Sequence, residues 1–219
     1  MSKTKPTGII LLEGPDAAGK TTLAEAFKKV VPNTEIIHLT WSPKLETVMS
    51  DYNIGLLAHA EELAKDRLVI LDRQCISTYV YQSTFRPEKA SHHPSLYAQL
   101  AKYCPSISII FCLPEFDTWK QNFLDMCASR EEMYGAEKLE QMIEVYRRYD
   151  VIARGPQTSE DQKLTWYPDN VLMDQIMDGG VLKHMHSYVY DFTKLMDNEG
   201  LLFAEGFLLG HQAHQEKFK

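Results

Sequence analysis

The sequence predicts an α/β protein in three layers, a parallel sheet of five strands with helices on both faces. Two observations carry this. Short apolar runs alternate along the chain with longer segments of helical periodicity, and alternation of that kind builds parallel sheets covered on both sides. The first apolar run, Gly8 to Glu13, also leads straight into Gly14-Pro15-Asp16-Ala17-Ala18-Gly19-Lys20-Thr21, a glycine-bounded loop that joins a strand to a helix.

The elements follow in order. Gly8 to Glu13 is a short apolar run ending at a glycine, which reads as a buried strand. Thr21 to Val30 places Leu23, Ala26, Phe27 and Val30 on one helical face. Glu35 to Leu39 is the second strand. Ile54 to Lys65 is helical, with Leu56, Leu57, Ala60 and Leu63 as its apolar positions. Arg67 to Leu71 is the third strand and stops at Asp72-Arg73. Ile107 to Leu113 is the fourth. Asp117 to Ala128 and Ala136 to Ile152 are helices, Leu164 to Tyr167 is expected as the fifth strand, and Asn170 to Met177 as a closing helix. Phe85 to His93 and Arg154 to Lys163 are polar loops. On this reading residues 1–183 form one domain and residues 184–219 a C-terminal extension. That extension carries Leu201, Leu202, Phe203, Phe207, Leu208 and Leu209, expected to pack on the core.

The chain has 219 residues, of which 44% are hydrophobic, enough for one domain with a sizeable core. Its formal charge of -7 sets it apart from general nucleic-acid binders, whose backbone-binding surfaces are basic. Cys75, Cys104, Cys112 and Cys127 form no C-x-x-C pair and read as free thiols of a reducing compartment. With no run of about 20 apolar residues and no signal-peptide core, an intracellular, cytoplasmic protein without a membrane partner is expected.

The loop fits G-x-x-x-x-G-K-[ST] in its confirming context, after a strand and before a helix. Its glycines let the backbone wrap close to phosphate. The N–H groups of the loop and of the helix N-terminus form an anion nest, so Gly14, Ala17, Ala18, Gly19, Lys20, Thr21 and Thr22 are the expected ATP-binding residues. Lys20 would reach the outer phosphates, and the Thr21 hydroxyl would hold Mg2+. Asp72, ending the third strand, is a second candidate for Mg2+, and Arg73 beside it has the fork that suits phosphate oxygens. Asp16 is unusual, because a carboxylate near a triphosphate must point elsewhere, towards an acceptor hydroxyl or amine. Arg130, between two helices, and Arg147 or Arg148 on the second of them are candidates for a closing lid. Tyr79, Tyr81 and Gln82 offer rings and an amide for a base. His92-His93, His184-x-His186 and His211-x-x-His214 lack an accompanying carboxylate or cysteine cluster, which argues against metal.

Leu12 to Thr22 resembles the E-G-x-D-x-A-G-K-[ST]-[ST] loop of the thymidylate kinase family of P-loop kinases, including the aspartate. Leu71-Asp72-Arg73-Gln74-Cys75-Ile76-Ser77 through Tyr81-Gln82 resembles that family's D-R-Y-x-x-S-x-x-A-Y-Q segment. Glu140 through Tyr149 looks like the helix after its lid. The likeness runs from about Gly8 to Met177. It implies the three-layer P-loop kinase fold and an ATP- and Mg2+-dependent transferase. It further implies that Asp16 contacts the acceptor sugar and that Arg73, with Lys44, holds the acceptor phosphate. Ser77, Tyr81 and Gln82 would then line the acceptor site. Ala17 stands where some members carry an arginine, which assigns that role to the lid and to Arg130. A homodimer is also implied. The departures lie at the thymine pocket, where Ala58 and Glu62 occupy the family's base-reading positions and Gln74 replaces a tyrosine.

The resemblance leaves three readings of function open. A free nucleotide acceptor, a deoxynucleoside monophosphate, needs positioning rather than a base. Deoxynucleoside kinases, which resemble this fold, place a glutamate just after the second strand, where Leu39-Thr40-Trp41-Ser42-Pro43 has no acid. Thymidylate-kinase-like enzymes of some DNA viruses are understood to phosphorylate hydroxymethyluracil within DNA, which makes DNA a second candidate substrate. A nucleotide-binding switch or NTPase serving a partner through the extension is the reading from another class.

Overall fold

Strands β1 (Gly8–Glu13), β3 (Leu68–Asp72) and β4 (Ile107–Cys112) are buried at every position. Near-continuous apolar runs require this of strands covered on both faces. The computed structural model describes residues 6–39, 49–87, 107–129, 138–155, 186–194 and 199–216. In the sheet these three strands are flanked by β2 (Glu35–His38) and β5 (His186–Tyr190), in the order β2-β3-β1-β4-β5. All four pairings are parallel. The register sets Leu12 beside Asp72, and Asp72 beside His38, at the carboxyl ends of adjacent strands. In parallel sheets that edge is where ligands bind.

Six helices join the described strands: α1 (Lys20–Val30), α2 (Met49–Leu63), α3 (Cys75–Phe85), α4 (Phe116–Ser129), α5 (Leu139–Arg154) and α6 (Glu199–Glu216). α5 lies against α3, and α6 against α1. Trp119, Tyr149, Phe27, Phe111 and Phe123 are the bulkiest fully buried side chains of the core. Helix α3 has no counterpart among the elements the sequence predicts. Its Tyr79, Val80 and Tyr81 favour strands by intrinsic propensity, and packing against α5 overrides that preference.

The fifth strand corrects the sequence reading. It is His186–Tyr190, inside the stretch read as lying beyond the sheet. Residues 164–167 and 170–177, expected to supply a strand and a helix, lie outside the described residues. β5 sits at the sheet edge with only Tyr190 of its five residues buried, so it lacks the continuous apolar run that marked the inner strands. Helix α6 buries Ala204, Phe207, Leu208 and His211. Phe207 meets the ring of Phe27 edge-on at 5.9 Å.

His186 and His211, weighed above as metal ligands, converge instead on the buried Ser108 of β4. Ser108 Oγ lies 3.0 Å from His186 Nδ1 and 2.7 Å from His211 Nδ1. His211 Nε2 faces the Thr7 carbonyl at 3.2 Å and therefore carries a hydrogen. With a single hydrogen, the Ser108 hydroxyl donates to at most one of the two rings and accepts from the other. The contacts tie α6 and the edge strand β5 to β4. Among the described residues no group of three or more His, Cys, Asp or Glu is placed to hold a metal ion, and no helix is long and apolar enough to cross a membrane.

Candidate active site

The loop between β1 and α1 holds its shape through backbone conformations that few residues adopt. Gly14 has φ of 146°, and a Cβ there would lie 2.4 Å from the Cys112 carbonyl oxygen, so β4 leaves no room for a side chain. Gly19 has φ of 82° at the start of α1. Ala17 takes a left-handed φ of 60° without being glycine, an arrangement that costs about 1 kcal/mol and clusters at functional sites. Gly19 offers no side-chain cap, and the first turn of α1 contains no acidic residue. The N-terminal N–H groups of α1 therefore remain available to an anion.

Lys20 folds back over the loop. Its Nζ donates to the carbonyls of Gly14 at 3.1 Å and Pro15 at 2.6 Å. Burial and the neighbouring Arg73 charge push the ammonium down to about 8, against the pull of Asp16 and Asp72. Thr21 and Thr22 are exposed on the first turn of α1, while Ala18 is buried in the core.

Asp16 points sideways to Arg73 rather than into the loop. Asp16 Oδ1 accepts from Arg73 Nη2 at 2.5 Å, and Oδ2 accepts from the Tyr81 hydroxyl at 3.0 Å. Trp119 Nε1 fixes the Asp16 carbonyl at 2.8 Å. Burial pushes the Asp16 carboxyl up, but the charges of Arg73 and Lys20 outweigh it and the group sits below its ordinary value. Arg73 has a left-handed φ of 75°, held by donation of its N–H to the Leu12 carbonyl at 2.9 Å. Its Nη1 donates to the Gly14 carbonyl at 3.1 Å, and its guanidinium lies 4.9 Å from the centre of the Tyr81 ring. Asp16, Arg73 and Tyr81 thus form one assembly beside the loop.

Asp72 ends β3 with its carboxylate buried. Oδ2 lies 2.9 Å from His38 Nδ1, whereas Oδ1 is buried with no hydrogen-bond partner. Behind the loop, the fully buried Glu13 accepts from the Gln74 N–H at 3.0 Å, the Ser77 hydroxyl at 2.5 Å and the Tyr149 hydroxyl at 3.1 Å. Burial raises the Glu13 carboxyl above its ordinary value even against these hydrogen bonds.

The structure therefore brings Asp16, Lys20, Thr21, Asp72, Arg73 and Tyr81 to one edge of the sheet. Ser77, expected to line the acceptor site, is buried, and its hydroxyl meets Glu13 and Tyr149 and accepts from Arg73 Nη1 at 3.4 Å. Gln82 is partly buried on α3 next to Tyr81. Ala58 and Glu62 are exposed on α2, Glu62 pairing with Lys65. Arg148 pairs with Glu144 at 2.8 Å, and Arg147 is exposed. Lys44 and Arg130 lie outside the described residues. Sequence reasoning assigned no role to Glu13, His38, Trp119 or Tyr149. Glu13 had a signal, a carboxylate closing an apolar strand; the others are joined to the site only by strand register and helix packing.

No protein-family model matches the chain, and no curated protein sequence matches it. Solved structures do. The YorR protein from Bacillus subtilis, in complex with phosphorylated GDP, superposes with a TM-score of 0.55 at 21% identity, covering 94% of this chain and 98% of that one. Deoxyadenosine kinase from M. mycoides with bound dATP gives a TM-score of 0.54 at 14% identity, covering 92% and 99%. Thymidylate kinase from Candida albicans gives 0.50 at 14% identity, covering 95% and 94%. The chain has the three-layer P-loop kinase fold. At these identities the likeness speaks to the fold alone.

Proposed function

We propose that the protein is an ATP- and Mg2+-dependent kinase that transfers the γ-phosphate to a nucleotide-type acceptor, a deoxynucleoside monophosphate. The observation that carries this is the pairing of Asp16 with Arg73 immediately beside a capless α1 N-terminus and Lys20. The loop and the first turn of α1 supply N–H donors for the donor phosphates. Lys20 would exchange its contacts with the Gly14 and Pro15 carbonyls for phosphate oxygens. Arg73, placed by its fixed backbone, presents a charge to the acceptor phosphate, while Asp16 offers carboxylate oxygens to an acceptor hydroxyl or amine. Deoxyadenosine kinase with dATP, thymidylate kinase and a phosphorylated-GDP complex share the fold, which supports a nucleotide at this edge.

The chemistry is an in-line displacement. An acceptor oxygen forms a bond to the γ-phosphorus, and the bond to the β–γ bridging oxygen breaks as ADP leaves. A phosphate acceptor is already ionised, so the protein's part is positioning and charge neutralisation. The residues fit Mg2+: the exposed Thr21 hydroxyl and the unpartnered Asp72 Oδ1 are hard oxygen donors at the same sheet edge. When bound, the cation would offset the negative charge of the phosphates. Arg130 is assigned to lid contacts with the phosphates, Lys44 to the acceptor phosphate and Gln82 to the acceptor. The test is transfer of label from γ-labelled ATP to a panel of deoxynucleoside monophosphates. Parallel DNA substrates with and without hydroxymethyluracil separate a free acceptor from a polymeric one.

A further inference from the structure

We propose that His38 is a positioning residue for the divalent cation. It anchors one oxygen of Asp72 and leaves the other as the oxygen offered to the metal–nucleotide complex. This rests on the kinase reading above. His38 ends β2 and Asp72 ends β3, and the parallel register pairs these two residues directly. The Leu39 N–H donates to the Asp72 carbonyl at 3.0 Å, which fixes the backbone on the far side of His38. Nδ1 then reaches Oδ2 at 2.9 Å. An ionised carboxylate only accepts, so Nδ1 must carry the hydrogen whether the ring is neutral or charged. The contact therefore does not depend on the protonation of Nε2.

The two partners differ in exposure: the Asp72 side chain is 8% exposed and that of His38 is 52% exposed. A nearly buried carboxylate is thus oriented by a ring that stands half in solvent. Its second oxygen is buried without a partner. An unsatisfied buried acceptor on a charged group is costly, and a cation at that oxygen removes the cost. Groups that hydrogen-bond a metal-ligating carboxylate set its orientation and hence its affinity for the ion. A purely structural role for the strand-end contact would leave the orphaned Oδ1 unaccounted for.

The experiment uses the full chain with Mn2+ as the spectroscopic substitute for Mg2+. Binding of Mn2+ in the presence of saturating non-hydrolysable ATP analogue is followed by the electron paramagnetic resonance of the free ion. Affinity for the same analogue in chelator is measured by calorimetry. His38→Phe keeps ring volume and removes the donor; His38→Asn keeps a donor near the place of Nδ1. The expected result is a loss of Mn2+ affinity of about 10- to 100-fold for His38→Phe and within about threefold of the parent for His38→Asn. Metal-free analogue affinity should stay unchanged in both, while the thermal midpoint should fall in His38→Phe, which leaves both Asp72 oxygens without a donor, and hold in His38→Asn. Parental Mn2+ affinity in His38→Phe would overturn the proposal, as would an equal loss in the two variants. If the parent binds analogue but Mn2+ adds nothing, the metal assignment fails while nucleotide binding stands. If the parent binds no analogue in either condition, the kinase reading fails and takes this proposal with it.

Discussion

Arg73 and Asp16, 57 residues apart in sequence, close an ion pair of 2.5 Å beside the loop between β1 and α1. Both side chains are mostly buried, 16% and 23% exposed, so each charge depends on the other. Removing one partner of such a pair leaves a buried charge uncompensated, at about 3 kcal/mol, whereas removing both costs less than the sum. Arg73→Ala should therefore destabilise the fold and abolish acceptor turnover while ATP still binds. Asp16→Ala with Arg73→Ala should regain part of the lost stability and none of the turnover. Urea denaturation of the four proteins of the cycle, with turnover measured alongside, checks both halves. A loss of ATP binding matching the loss of stability would make Arg73 structural only.

Lys20 gives the fold a pH dependence of known sign. Its ammonium lies at about 8, below the ordinary 10.5. Between these values the unfolded chain binds more protons than the folded one, so stability rises as pH increases from about 8 to 10.5 and Lys20 contributes no further slope below that window. The full difference is about 3 kcal/mol. Lys20→Met should raise the melting temperature of the ligand-free protein at pH 7 and flatten this slope, while abolishing phosphoryl transfer. Triphosphate binding should restore the ammonium, so calorimetry at pH 8 in buffers of different ionisation enthalpy should record proton uptake. Zero uptake in the parent would remove Lys20 from the phosphate site.

Tyr149 connects α5 to the rear of the loop through Ser77 at 2.6 Å and Glu13 at 3.1 Å. Tyr149→Phe keeps the ring and deletes one donor to a buried carboxylate, which should cost about 1.5 kcal/mol. Glu13→Ala leaves the Gln74 N–H without an acceptor and removes the carboxylate shared by the Ser77 and Tyr149 hydroxyls, and should cost about 3 kcal/mol or more. Denaturant midpoints measure both. Equal effects of the two substitutions would mean that the carboxylate is not the hub of this cluster.

Helix α6 belongs to the core. Leu208 is 4% exposed and its neighbour Leu209 is 71% exposed. Leu208→Ala should cost about 2–4 kcal/mol and Leu209→Ala under about 0.5 kcal/mol. A chain ending before residue 199 should fail to fold, as judged by near-ultraviolet circular dichroism. A cooperative melt of that shortened chain would return α6 to the status of an appendage.

The inner strands, α1 and the loop were legible because apolar runs and the glycine–lysine pattern are local signals. Asp72 and Arg73 were legible for the same reason, as a charged pair terminating an apolar strand. β5 was not, since an edge strand can hold its place with few buried residues, here Tyr190 alone. Asp16 was singled out as a carboxylate that had to point away from phosphate, but its partner could not be read from composition. The ion pair depends on Arg73 holding a left-handed φ at the end of β3. The His38–Asp72 contact is likewise a product of register, because only pairing β2 to β3 sets these residues side by side. Ser77 is assigned to the acceptor site by likeness of pattern alone, and its contacts with Glu13 and with Arg73 come from the packing of the first turn of α3 against the end of β1, which no local pattern shows.

Incubation with γ-labelled ATP and Mg2+ over a panel of deoxynucleoside monophosphates separates phosphoryl transfer from nucleotide binding alone. Label appearing in a free diphosphate, and lost in Lys20→Ala, is the predicted result. ATP binding with release of inorganic phosphate alone, and no label in any nucleotide or DNA acceptor, would contradict it and make the protein an NTPase or switch.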